Sequence, residues 1–108
     1  MKTVFLKKTS DFKRVYFKGR FKIDSCMVLY ILKNRLGHPR VGIATSKKIG
    51  GAVQRNRARR IIKEAWRAIV RKKFGFDLIF VARSGIIKLK TKEVQREIFC
   101  LIKRFGIE

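Results

Sequence analysis

The side chains able to do chemistry in this sequence are overwhelmingly cations, and they are crowded into one stretch. From Lys47 to Lys73 there are eleven Lys and Arg residues and one acid, Glu64. Placed on a helix over residues 52–73, at 100° per residue, Asn56, Arg60, Lys63, Arg67 and Arg71 fall on one stripe. Arg55, Arg57 and Arg59 flank it near the N-terminal end. An ordinary solvated helix face mixes charges of both signs. Here like charges stand at i, i+3 and i+4, each pair costing about 0.2–0.5 kcal/mol, and arginines sit at the end where the helix dipole is already positive. Phosphate relieves both costs, and the guanidinium fork can bond two of its oxygens at once. The pattern therefore predicts a surface for a polyanion, nucleic acid first and anionic membrane second. Asn56 leaves three roles open: a donor to phosphate or ribose, a carbonyl ligand for hydrated Mg²⁺, or a local bond near the helix start.

The remaining reactive residues point away from catalysis by the chain itself. The seven acids, Asp11, Asp24, Glu64, Asp77, Glu93, Glu97 and Glu108, are scattered, with no clustered set to hold metal ions. His38 lies in a turn beside Pro39 and reads as a surface residue. Cys26 and Cys100 each sit in an apolar run, and both are expected to be small buried hydrophobes in a reducing compartment. Two Cys and one His cannot supply a four-ligand zinc site.

Composition agrees. With 29 Lys and Arg against seven acids, the 108-residue chain carries a net charge of +22. Heat adaptation would raise Lys and Glu together; only the positive side is enriched. Apolar residues make up 46%, enough for a core in one domain spanning residues 1–108. No apolar run approaches the ~20 residues of a membrane span. Met1–Lys8 lacks the apolar stretch of a signal peptide, so a cytoplasmic location is expected.

These cations need elements to position them. Ser10–Gly19 reads as a short helix capped by Ser10 or Thr9, with Phe12, Val15 and Tyr16 on one face. Phe21–Ile23 reads as a short strand. Cys26–Lys33 is a clearer one, apolar on both faces, Cys26/Val28/Tyr30/Leu32 and Met27/Leu29/Ile31, which predicts that both are covered. Turn residues 34–39 then suggest a hairpin returning through Arg40–Ser46, where Gly42, Ala44 and Ser46 leave room on one face. Residues 47–51 read as a loop. The long helix buries Ala58, Ile61, Ile62, Ala65, Ala68 and Ile69. Phe76–Ala82 is a buried strand. Thr91 is expected to cap a last helix with Val94, Ile98, Leu101, Ile102 and Phe105 inward. The order is αβββαβα, an α+β fold with helices packed on one mixed sheet.

The octet Val53-Gln54-Arg55-Asn56-Arg57-Ala58-Arg59-Arg60 resembles the RNR signature of the bacterial ribonuclease P protein component. Val41-Gly42-Ile43, Ser46-Lys47-Lys48-Ile49-Gly50, Asp11-Phe12, Val28-Leu29-Tyr30 and Phe80-Val81-Ala82-Arg83 are similar to that family's flanking segments, in order, across the chain. The resemblance implies an α/β sandwich like domain 2 of ribosomal protein S5, with a left-handed βαβ crossover. It implies a subunit that binds ribonuclease P RNA, without needing a protein partner, while RNA and its Mg²⁺ ions cut the 5′ leader from precursor tRNA.

Two surfaces follow from the resemblance. Lys47, Lys48, Arg55, Asn56, Arg57, Arg59, Arg60, Lys63 and Arg67 are expected to meet the RNA subunit. Phe12, Tyr16, Val28, Tyr30 and Leu32 are expected to line a cleft for the single-stranded leader, where aromatic rings stack on any base; core packing is the alternative for the three rings. Gly50-Gly51 makes the loop before the signature looser than the family pattern. The competing readings are another RNA-binding module on the same fold, of ribosomal type, a membrane-surface protein, and a self-sufficient nuclease.

Overall fold

In the computed structural model, residues 4–69 and 74–106 are described. The elements are α1 (Thr9–Lys18), β1 (Arg20–Ile23), β2 (Met27–Lys33), β3 (Arg40–Ala44), α2 (Ala52–Ile69), β4 (Phe76–Ala82) and α3 (Thr91–Arg104). Single 3-10 turns at Lys47–Ile49 and Ser84–Ile86 lead into α2 and toward α3. The αβββαβα order is as the sequence predicts. Val70 and the basic residues Arg71, Lys72 and Lys73, which the sequence places at the end of the long helix, lie outside the described residues.

The sheet order is β1-β2-β4-β3, and this overturns the expected hairpin. β3 does not pair with β2. It runs parallel to β4, Arg40 opposite Asp77 and Ile43 opposite Phe80, while β4 pairs antiparallel with β2. The physical reason lies in β4. Its Leu78, Ile79 and Phe80 are fully buried on both faces, so it belongs in the middle of the sheet. β3, with small residues at Gly42 and Ala44, takes the outside, where residues 4–6 extend it by bonds between Leu6 N–H and the Val41 carbonyl and between Val41 N–H and the Val4 carbonyl. Because β3 and β4 are parallel, α2 must serve as their crossover.

The sheet's two faces are covered unequally. One packs on α2 and α3 through Leu29, Ile31, Leu78, Phe80, Ile62, Trp66, Ile98 and Leu101. Among the described residues the other meets only α1 and the N-terminal segment, around Leu6, Val15 and Ile79, with Phe12, Tyr30, Leu32 and Val81 partly covered. The expectation that both faces of the second strand are covered is therefore half right. Val28, Tyr30 and Leu32 remain partly open because one ten-residue helix cannot roof the whole sheet.

Several local readings change. α1 starts at Thr9 after Lys8, with no side-chain cap. Thr91 is the first residue of α3 rather than its cap, and Glu93 instead accepts a bond from the Lys90 N–H at 3.1 Å. In α2 the buried residues are Ala58, Ile61, Ile62, Ala65 and Trp66, while Ala68 is exposed. Trp66 was missed because it lies at the edge of the apolar arc. It is buried by rings outside the helix, Phe80 at 5.8 Å and Phe74 at 6.5 Å between centroids. Cys26 is buried and precedes its strand, whereas Cys100 is exposed, since it stands on α3 away from the inward face.

Candidate nucleic-acid interface

The expected cationic face forms on α2 and the turn before it. Ser46 Oγ accepts from the Lys48 N–H at 3.3 Å, Ile49 is buried, and Gly50 takes φ +135°, a conformation that favours glycine. The segment thus forms a 3-10 turn with Ser46 at its start and Gly50 at its end. Lys47, Lys48, Asn56, Arg59, Arg60, Lys63 and Arg67 are exposed. Lys63 Nζ sits 5.1 Å from the Phe5 ring centroid. Among the described residues every ion pair goes to Asp11 or Asp77, and none to this face. Glu64 is the one acid within α2, and it bonds Thr91 of α3 instead.

Arg55 and Arg57 behave differently. Arg57 donates from Nη1 to the Ile87 carbonyl and from Nη2 to the Leu89 carbonyl, both at 2.9 Å. Arg55 Nη1 donates to the Gly50 carbonyl at 3.0 Å. These two guanidiniums tie α2 to the segment before α3 and to its own entry loop. Periodicity could not separate them from their neighbours, because their acceptors are backbone carbonyls that only the tertiary fold delivers.

On the sheet's opposite face, α1 and β2 bring an aromatic cluster together. Phe12 and Tyr16 have centroids 6.4 Å apart, and Tyr16 meets Tyr30 edge-on at 4.8 Å. Phe12 packs over Gly42 of β3, where a Cβ would come within 2.6 Å of the ring. The space left by the small residues of β3 is thus filled by Phe12, which does part of a core residue's work. Val28 and Leu32 are half-buried on the same face as Tyr30. Tyr16 remains 39% exposed. Its partial burial, and then the neighbouring Tyr30, raise its phenol above the ordinary value, so it stays a neutral donor. The cluster has a further ring that the sequence reading missed. Phe21, paired with Tyr30 across β1 and β2, lies 5.4 Å from it and is 53% exposed. An exposed phenylalanine beside a tyrosine cluster was the signal, and it needed the register to be read.

A polar clamp holds α1 to the sheet. Asp77 is fully buried in β4. It accepts from Arg40 Nε and Nη2 at 2.9 and 2.8 Å, from Arg14 Nη2 at 2.8 Å and from Asn34 Nδ2 at 2.8 Å. Burial pushes its pKa upward, but the bonds from Arg40 and Asn34 and the charges of Arg40 and Arg14 outweigh burial and leave it below the ordinary value. Arg40 is shifted upward, chiefly by its bond to Asp77.

One grouping of possible metal donors occurs among the described residues, away from both surfaces. Ligand atoms of Asp24, Cys26 and Glu97 lie within 4.8 Å of one another. A buried thiol is a soft donor and does not suit Mg²⁺. Asp24 Oδ1 accepts from the Cys26 and Met27 N–H groups at 2.9 Å each, while Oδ2 is buried without a donor. Hydrogen bonding with Asp24, then burial and the Asp24 charge, raise the Glu97 pKa above the ordinary value. The Cys26 thiol is also pushed up, first by burial and then by Asp24.

A four-stranded mixed sheet with an exposed cationic helix on one face and an aromatic cluster on the other defines a small, basic α+β protein with a surface suited to a polyanion. The family model described as Ribonuclease P matches residues 1–106. The ribonuclease P protein component of Clostridioides difficile (strain 630) is 44% identical over 108 residues, spanning 98% of this chain and 95% of the relative. That of Pelotomaculum thermopropionicum is 45% identical over 104 residues, 94% and 92% of the two chains. The structure of the Staphylococcus aureus RNase P protein aligns with a TM-score of 0.82 at 32% identity, over 98% of each chain. The chain belongs to the ribonuclease P protein family, the protein components of a tRNA-processing endoribonuclease that partner its RNA. No helix among the described residues is long and apolar enough to cross a membrane.

Proposed function

We propose that this chain binds the ribonuclease P RNA through α2 and the turn before it, and receives the 5′ leader of precursor tRNA in the cleft between α1 and the sheet. The carrying observation is the exposed face of Lys47, Lys48, Arg59, Arg60, Lys63 and Arg67, which has no acid partner among the described residues. Arg55 and Arg57 support this surface from within by fixing the helix and its entry loop, and Asn56 stands exposed among the free cations to bond phosphate or ribose.

The cleft supplies a second kind of contact. Phe12, Tyr16 and Tyr30 offer rings that stack on bases without reading them, while Val28 and Leu32 form an apolar floor. This suits a single strand of variable sequence. Mg²⁺, held mainly by the RNA subunit, supplies the nucleophile activation and charge stabilisation of phosphodiester hydrolysis. This chain's share is binding: it neutralises phosphates of the RNA and anchors the leader beside the scissile bond.

The test is cleavage of precursor tRNA at low Mg²⁺ by a bacterial ribonuclease P RNA with the protein, without it, and by the protein alone. Activity in the mixture only is expected. Tight RNA binding without stimulation would favour the ribosomal-type RNA-binding module, and cleavage by the protein alone would overturn the assignment of chemistry to RNA.

A further inference from the structure

α3 carries a basic stripe of its own. Lys92, Arg96, Phe99 and Lys103 are spaced i, i+4, i+7 and i+11, which puts them within about 60° of arc on the helix. The inward residues Val94, Ile98, Leu101 and Ile102 lie on the other side. Lys92, Arg96 and Lys103 are exposed. Both acids of α3 stand off the line: Glu93 turns back to the Lys90 N–H and Glu97 faces Asp24.

The use of the other cations sharpens the contrast. Arg57, Arg83 and Arg104 all donate to backbone carbonyls, of Ile87 and Leu89, of Asp24 and of Ile23 respectively. Among the described residues, the side chains of Lys92, Arg96 and Lys103 make no hydrogen bond or ion pair within 4.0 Å, although the Arg96 charge is felt by neighbouring Glu97. Lys103 is instead held with Nζ 4.7 Å from the Phe99 ring centroid, a contact that orders the ammonium without neutralising it.

Position supplies the occupant. α2 and α3 pack side by side on the same sheet face. Glu64 of α2 accepts from Thr91, the first residue of α3, at 3.1 Å. Ile69, the last residue of α2, lines a shallow groove with Lys92, Gln95, Arg96 and Phe99. The C-terminal end of α2 thus lies against the first turns of α3, and the α3 stripe runs on from there for about 16 Å.

We propose that Lys92, Arg96, Phe99 and Lys103 form a second contact for the phosphate backbone of the RNA subunit, continuing the α2 surface along α3. The lysines and the arginine neutralise successive phosphates, and Phe99 offers its free edge to an unpaired base or ribose. The inference rests on the proposal that α2 meets that RNA.

The chain carries its own reporter. Cys100 is exposed and one turn from Arg96, whereas Cys26 is buried. Binding of the RNA subunit alone should slow alkylation of Cys100 several-fold, read by mass spectrometry, with Cys26 unreactive throughout. The combined variant K92Q/R96Q/K103Q, checked for folding by circular dichroism, should bind the RNA subunit with a salt slope shallower by about 2. It should keep the wild-type preference for leader-bearing over mature tRNA. Unchanged Cys100 reactivity, or an unchanged slope, would overturn the proposal. So would protection that arises only when precursor tRNA is added, since the surface would then belong to substrate. Arg60→Ala with Arg67→Ala is the separate control: if that pair leaves RNA-subunit affinity unchanged, the underlying α2 assignment fails, whatever α3 does.

Discussion

Asp77 and Arg40 are partners twice over: they face each other in the parallel register of β3 and β4, and their side chains form a two-pronged ion pair at 2.9 and 2.8 Å. Arg14 of α1 joins the same carboxylate. A buried charge in the central strand thus fixes the edge strand and the helix that roofs the cleft. Replacing Asp77 by Ala would leave Arg40 half-buried without its partner, and should cost about 3–5 kcal/mol in urea unfolding. Arg14→Ala, at the exposed end of the network, should cost about 1 kcal/mol or less after solvent screening.

The same carboxylate dictates an acid response. Its folded pKa lies below the ordinary value, so its contribution is present above the unfolded pKa and is lost as pH falls through the folded one. A pH series of urea midpoints should fall on the acid side, and Asp77→Asn should flatten that fall. An unchanged acid limb would show that other carboxylates dominate.

Asp24 and Glu97 predict the opposite sign. Glu97 has a raised folded pKa, so its contribution is fully present below the ordinary glutamate value and is lost as pH rises through the raised one. Glu97→Gln keeps a donor for Asp24 at every pH, and should be as stable as wild type in acid and slightly more stable at neutrality. A variant less stable at neutrality would contradict the raised Glu97 pKa.

The arginines of α2 should separate by assay. Arg57→Ala loses two bonds to carbonyls and should lower stability by about 1–3 kcal/mol. Arg60→Ala together with Arg67→Ala should leave the urea midpoint nearly unchanged and weaken assembly with the RNA subunit. If about eight phosphates are neutralised, log K should fall against log salt with a slope near −6 to −7; a slope shallower than −2 would contradict the electrostatic account.

In the cleft, Tyr30→Ala should weaken binding of leader-bearing precursor by about 1–3 kcal/mol and leave mature tRNA unaffected. Phe21→Ala should show the same selectivity, with a smaller effect, because its ring lies at the cleft's rim. Equal losses for both tRNA forms would place these rings in the core instead.

Sequence by itself determined the order of elements, the inward faces of α2 and α3, and the cationic stripe, because helical periodicity and charge are local properties. It also determined membership of the family, since the signature octet and its flanks stand in order along the chain. Tertiary structure decided the rest. Which strand lies at the centre depends on β4 being buried on both faces, so the expected hairpin between β2 and β3 gave way to a parallel pairing 37 residues apart, Arg40 with Asp77. The sequence shows Arg57 and Arg60 as equal cations; only the carbonyls of Ile87 and Leu89 make one structural and leave the other free. Trp66, Asp77 and Phe21 went unread for the same reason. Their roles depend on partners distant in sequence, and spacing along a single element does not contain them.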